Sequence, residues 1–303
     1  MKRRYQFNNR RYETAQTITA IILLLPTIIA WIILFAYPVV EVFKLSFTST
    51  NTITLQSKWL GLRNYTYLLK NEMFLKAFFN TVIFTICKLS LEVVLSLGLA
   101  VLLDMRVPFR KFLRVSFFAP VIVPVATAAT VWMWLYDPTL GPLNEILRFL
   151  GLPTSNYIYD SSSALISIVI FAVWRGIGYD IIIFLSGLQG ISEEVVEAAR
   201  IDGANEWNIL TKIKLPLMRS VIGFVIMMGM IGCFQAFTEA DIMTQGGPNN
   251  SSMLMVNYIY NQTFGNAKLG RGAAASVLLF VVIFILTVMQ KTLSRRREEM
   301  DNA

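Results

Sequence analysis

The sequence predicts an all-α polytopic membrane protein that crosses the bilayer six times, with both termini in the cytoplasm. Composition is the first reason: 55% of the 303 residues are apolar and 15% are charged, against about 25% charged in a soluble domain. The second is the recurrence of apolar runs long enough to cross a hydrocarbon layer of about 30 Å, which takes roughly 20 helical residues. The third is the distribution of lysine and arginine, which is rich in every second connection between those runs.

Six segments qualify in turn: about 18–40, 80–103, 112–136, 164–188, 219–238 and 272–290. The first follows Lys2, Arg3, Arg4, Arg10 and Arg11. It is longer than the core of a signal peptide, about 7–15 residues, and no small-x-small site closes it, so it is read as a retained span. The third contains Pro120 and Pro124, which predict a kink or local unwinding of a kind membrane helices tolerate. The fourth and fifth carry charge or several glycines, and Ser161–Ser163 reads as a helix entry.

Orientation follows from the basic residues. With the N-terminus inside, the cytoplasmic pieces are the tail 1–17, residues 104–114 and 189–219, and the tail 291–303; they hold 17 of the 27 lysines and arginines. The external pieces hold 8, and Lys88 and Arg175 lie within spans. This is the positive-inside pattern. The net charge of +8 is therefore a topology signal, and the expected partner is membrane lipid with no role for nucleic acid. The chain has no histidine, and Cys87 and Cys233 both fall in spans. Imidazole chemistry is excluded, and neither a disulfide framework, a metal site nor a cofactor is expected.

The cytoplasmic connection 189–219 is polar and unusually long. Ser192 can cap a helix whose first turn holds Glu193 and Glu194, where the helix dipole favours acid. That helix runs through Glu197, Ala198 and Ala199 to Asp202, and Gly203 suits the left-handed residue that ends a helix. Asn205 can cap a second short helix with Trp207, Leu210 and Ile213 on one side. Pro216 then stands at the entry to the fifth span. The product is a helix–glycine–helix elbow lying along the membrane face. Small Ala198 and Ala199 permit close approach of a partner, while Glu197 and Asp202 offer charge. An amphipathic hairpin that merely joins two spans is the plainer alternative.

The string Glu-Ala-Ala-Arg-Ile-Asp-Gly-Ala from Glu197, continuing to Lys214-Leu215-Pro216, resembles the EAA loop of binding-protein-dependent ABC importer permeases. Glu197, Ala198, Ala199, Asp202, Gly203, Ala204, Ile213, Leu215 and Pro216 match that pattern. Met243–Pro248 with Asn257–Tyr260 resembles the external loop before the last span in the carbohydrate-uptake type, and Asn64-Tyr65 with Phe79-Asn80-Thr81 resembles the segment entering the second. The likeness extends from about 18 to 290. It implies a type I importer permease fold, an ATPase-coupling role for Glu197, Ala198, Ala199, Asp202, Gly203, Leu215 and Pro216, and location in the bacterial cytoplasmic membrane. It also implies partners: ABC ATPase subunits, a second permease subunit, an extracytoplasmic solute-binding protein and a carbohydrate substrate. Where the pattern has a further proline after Leu-Pro, this chain has Arg219 or Ser220. It lacks the extra N-terminal spans and large external domain of the maltose-type subunit, which places it nearer the compact six-span members serving oligosaccharides, disaccharides or glycerol phosphate.

Polar residues at membrane depth are functional hypotheses. Lys88 and Glu92, four apart, share a helix face and read as a structural ion pair. Arg175 and Asp180, five apart, match poorly within one helix, so each is expected to find a partner elsewhere. Trp174–Tyr179 resembles the sugar-contacting stretch of the maltose-type permease and nominates Arg175, Gly176 and Tyr179 for a substrate cavity. Phe234–Thr238 similarly nominates Phe234, Gln235 and Thr238. Helix packing is the competing explanation for the aromatic residues. An unpaired Arg175 in the cavity would favour an acidic sugar or a sugar phosphate. The chain has no G-x-x-x-x-G-K-[ST] phosphate loop, so the ATP-driven scheme requires a separate ATPase. An ion-gradient-driven secondary transporter is the alternative, although it gives the elbow no task; an intramembrane enzyme lacks any nucleophile–base arrangement.

Overall fold

A computed structural model describes the backbone of residues 2–50, 56–105 and 108–301, and side chains within 16–293 of those stretches. The basic side chains of the N-tail, Arg106 and Arg295–Arg297, used in the charge count, lie outside the described side chains. The chain begins with α1 (Lys2–Trp31), a π-helical turn at Ile32–Ala36 and α2 (Tyr37–Ser46). A small antiparallel hairpin follows, β1 (Thr48–Thr50) against β2 (Ser57–Trp59), with Ser49 opposite Lys58. Next come α3 (Arg63–Leu68), α4 (Glu72–Asp104), α5 (Arg110–Ile122), α6 (Val125–Leu135), α7 (Pro142–Phe149) and α8 (Ala164–Gln189). The remainder comprises α9 (Glu193–Ile201), α10 (Glu206–Ile209), α11 (Leu215–Leu217), α12 (Arg219–Phe234), α13 (Thr238–Thr244), α14 (Met255–Tyr260) and α15 (Leu269–Asp301).

Four helical stretches among the described residues are long and apolar enough to span: Gln16–Ser46, Glu72–Asp104, Ala164–Gln189 and Leu269–Leu293. Two further spans arise if each bent pair counts as one, Arg110–Ile122 with Val125–Leu135 and Glu206–Leu217 with Arg219–Phe234. The first pair turns by 100° at Pro124. A residue before proline is pushed out of the α region, and Val123 is extended with ψ 132°. Pro120, in contrast, is absorbed inside α5. The fifth predicted run ends early: α12 stops at Phe234, and Phe237 leaves helical geometry with φ −138° before α13 restarts at Thr238.

α4, with 33 residues, is about 50 Å long and extends beyond a 30 Å hydrocarbon layer. Asn71 caps it by accepting from the Phe74 amide at 2.9 Å. Its projecting first turns hold the loop that follows α13. The Asn80 amide donates to the carbonyls of Asn250 (3.0 Å) and Met253 (3.1 Å), and the Thr81 hydroxyl accepts from the Met255 amide at 2.9 Å. Asn64 does similar work on α3, donating to the carbonyls of Ser46 at 2.8 Å and Thr48 at 2.9 Å.

Three apolar clusters fill the bundle. One joins α6, α8 and α13 around Tyr136, Phe171 and Ile168; a second joins α4, α14 and α15 around Phe74, Tyr258 and Met255. The third, at the end the charge count places in the cytoplasm, packs Leu103, Phe184, Leu188 and Met218. α8 is central and comes very close to both neighbours. A side chain at Gly176 would collide with the Glu92 carboxylate, and one at Gly178 with the Phe117 carbonyl. Gly178→Ala is expected to destabilise the bundle by about 1–3 kcal/mol through overpacking. Thermal unfolding of the detergent-purified protein checks this, and an unchanged midpoint would show that α5 can retreat freely.

Candidate functional site

The elbow is built by its own capping residues. The Ser192 hydroxyl accepts from the Glu194 amide at 3.3 Å, opening α9, and Glu193 and Glu194 fill the first turn. The helix ends at Ile201, with Asp202 as C-cap and Gly203 at φ +83°. The Gly203 amide bonds to the Arg200 carbonyl at 3.0 Å and the Ala204 amide to the Ala199 carbonyl at 2.9 Å. That double closure is the Schellman arrangement, which requires a left-handed residue at Gly203. Asn205 accepts from the Asn208 amide at 2.8 Å and starts α10. The chain then widens into a π-helical stretch, Leu210–Lys214, before α11, where Pro216 sits in the first turn.

Around the glycine turn, Arg200 braces the two arms by contacting Glu206 at 3.0 Å through both Nε and Nη2. The pair is well exposed, so it contributes orientation more than stability. Glu197, Ala198, Asp202 and Gly203 are all exposed, Ala199, Leu215 and Pro216 are half-buried, and α9 buries none of its residues. Two large apolar side chains are also left uncovered: Ile201 is 86% exposed and Trp207 70%. The sequence pattern groups Trp207 with Leu210 and Ile213 on one side. In the structure Trp207 points to the surface, while Ile209 is the fully buried residue of that helix.

A polar ring links the elbow to the spans. Lys214 Nζ lies 2.8 Å from Asp104 Oδ2 at the end of α4, and Arg110 Nη2 lies 3.9 Å from Asp104 Oδ1. The Gln189 amide oxygen, in the orientation its donors require, accepts from Arg110 and Arg114 at 2.9 Å each. Elbow, α4, α5 and the end of α8 thus meet in one network. Sequence reasoning missed Asp104, Arg110, Gln189 and Lys214 because no local spacing connects residues 110 positions apart.

The six predicted cavity residues differ in their surroundings. Phe234 is 4% exposed, embedded with Phe74, Met255 and Tyr258. Gly176 faces the Glu92 carboxylate at the α4–α8 contact. Tyr179 and Gln235 are exposed, Arg175 and Thr238 half-buried, and Arg175 Nε is buried without a hydrogen-bond partner. Lys88 and Glu92 do pair, Nζ to Oε2 at 2.6 Å, with both side chains largely buried. An apolar groove of about 550 Å³ lies between α4, α5 and α8, lined by Leu91, Phe117, Pro120, Trp174 and Ile177 but by none of the six.

Residues 92–299, which include the entire elbow, match the family described as binding-protein-dependent transport system inner membrane component. The chain belongs to that family. The permease is 32% identical over 270 residues to the sn-glycerol-3-phosphate transport system permease protein of Pectobacterium atrosepticum, covering 89% of this chain and 91% of that relative. It is 31% identical over 272 residues to the arabinooligosaccharides transport system permease protein of Bacillus subtilis, covering 89% and 86%. In fold it is similar to a chain of a bacterial alginate ABC transporter solved with an alginate pentasaccharide-bound periplasmic protein. The TM-score is 0.83, the identity 21%, and the coverage 94% of this chain and 96% of that one. The permease is therefore an inner-membrane subunit of an ABC importer that works with a binding protein; it is not an enzyme, and ATP hydrolysis belongs to a separate subunit.

Lys214→Met is expected to lower binding-protein-stimulated ATP hydrolysis and uptake together, by roughly tenfold, the effect of about 1.4 kcal/mol at a charged hydrogen bond. Reconstituted transport assays measure this, and the exchange of Asp104→Lys with Lys214→Asp should restore part of the loss. Full activity of Lys214→Met would show that transport does not depend on the ring.

Proposed function

We propose that the permease forms half of the path for a carbohydrate or carbohydrate derivative, with the elbow 193–217 as the grip for the ATPase. The exposure of Ile201 and Trp207 at the two ends of the glycine turn carries this reading. Large apolar groups beside exposed Glu197 and Asp202 make a mixed surface that a protein partner covers well, and small Ala198 and Ala199 leave room for its close approach. Leu215 and Pro216 join the grip to α12 through a 65° bend. Pairing with a second permease completes the path, and the loop around Gly246-Gly247-Pro248 faces the binding protein.

For the cargo, Tyr179, Gln235 and Thr238 supply hydroxyl and amide groups suited to sugar hydroxyls, and Arg175 supplies charge. A carbohydrate cargo accords with the relatives, one named for arabinooligosaccharides and one for sn-glycerol-3-phosphate. The unsatisfied Nε of Arg175 favours an acidic or phosphorylated sugar, because a guanidinium recognises carboxylate and phosphate through paired donors. Phe234 and Gly176 serve packing in this scheme and leave the list of cargo contacts.

Glu197→Lys should abolish co-purification of the ATPase while the permease still inserts and folds; retention of the ATPase at wild-type level would refute the grip. Arg175→Gln is expected to reduce uptake of an acidic sugar at least tenfold more than uptake of its neutral counterpart, the discrimination expected from one charged hydrogen bond of about 1.5–3 kcal/mol. Equal losses for both sugars in proteoliposomes would sink the acidic reading and leave the importer role intact.

A further inference from the structure

At the end of the bundle opposite the elbow, a pocket of about 760 Å³ lies between the β1–β2 hairpin, α3 and the start of α15. Lys58, Arg63, Lys268 and Arg271 line it, together with Asn64 and Tyr67, and no acidic residue is among its described walls. These are four of the eight lysines and arginines in the segments that the charge count places outside. Among the described residues, none of the four has an ion-pair partner. Basic residues are disfavoured in external segments of this kind, so their convergence on one concavity is not a by-product of topology.

The walls are built. Asn64 ties α3 to the carbonyls of Ser46 and Thr48, and Gly270 lets α15 press against the Thr48 carbonyl. The Arg271 guanidinium lies 3.7 Å from the centroid of the Tyr67 ring. A guanidinium held against an aromatic face keeps its in-plane donors for an anion. The position is equally specific: α2 ends at Ser46 and α15 begins at Leu269, so the pocket stands at the level where two apolar helices leave the membrane. Trp59, largely exposed beside it and stacked on Phe47, and Tyr67 are of the residue types that mark this boundary.

We propose that this pocket binds a phosphate group at the extracytoplasmic membrane boundary. Four cations lining one concavity repel one another, and an anionic phosphate lowers that cost while accepting from several donors. The same chemistry is offered by the headgroup of an anionic phospholipid and by a soluble phosphate, and the two can be separated. The site does not depend on the cargo assignment, since it involves none of the residues nominated for the path.

The test uses the assembled transporter with its ATPase and second permease. Native mass spectrometry after equilibration with equal phosphatidylglycerol and phosphatidylcholine reads the lipid arm; equilibrium binding of labelled inorganic phosphate in phosphatidylcholine nanodiscs reads the soluble arm. Each charge removed by Lys58→Gln or Arg271→Gln should weaken the occupied arm about fivefold, while Arg271→Lys keeps most of it and the cytoplasmic control Lys291→Gln changes nothing. A loss confined to the lipid arm identifies the headgroup as ligand, and a loss in the phosphate arm identifies a soluble anion. If Arg271→Gln fails to assemble, Lys58→Gln and Lys268→Gln, both on exposed side chains, carry the same comparison. Binding unchanged in both arms, or lowered equally by Lys291→Gln, overturns the site.

Discussion

The close approach of α8 to α4 and α5 is the constraint on which the rest of the structure depends. Lipid tails are as apolar as leucine, so helices in a bilayer gain little by hiding apolar surface from one another and must gain by packing. Gly176 and Gly178 make that packing possible on two sides, one against the Glu92 carboxylate and the other against the Phe117 backbone. The neighbouring charge is held by Lys88, which spares Glu92 from lying unpaired at membrane depth. With α8 fixed in this way, its last residue, Gln189, is placed to hold Arg110 and Arg114. The chain then leaves for the elbow from a defined point.

α12 connects the two ends of the molecule. It begins just beyond the elbow, after the bend at Met218, and ends at Phe234, where the chain breaks and leads through α13 into the loop held by Asn80 and Thr81. Near its start, the Gln290 side chain of α15 donates to the Gly223 carbonyl at 2.9 Å. One helix thus links the elbow to the segment that leads into the loop held by Asn80 and Thr81.

What could be read in the sequence was whatever acts over a few residues. The break at Pro124, the caps at Ser192 and Asn205, the left-handed Gly203 and the Lys88–Glu92 pair all follow from local chemistry. Asn64, Asn80 and Thr81 stood out as motif residues, but their work is holding loops, which only the folded chain displays. The end of α12 at Phe234 was illegible because Gln235-Ala236-Phe237 contains no residue that forbids a helix. The approach of Gly176 to Glu92 was equally hidden, since a glycine's neighbour cannot be named from its own helix. The Asp104–Lys214 contact joins segments that share no pattern.

The first span has a different standing from the others. None of the most apolar window within Gln16–Ser46 is buried by the rest of the chain; only the closing part, α2, packs against α15, with Phe43 meeting Phe280 edge-on at 6.2 Å. The lodging of that apolar window is therefore supplied from outside the described residues, by the lipid around it.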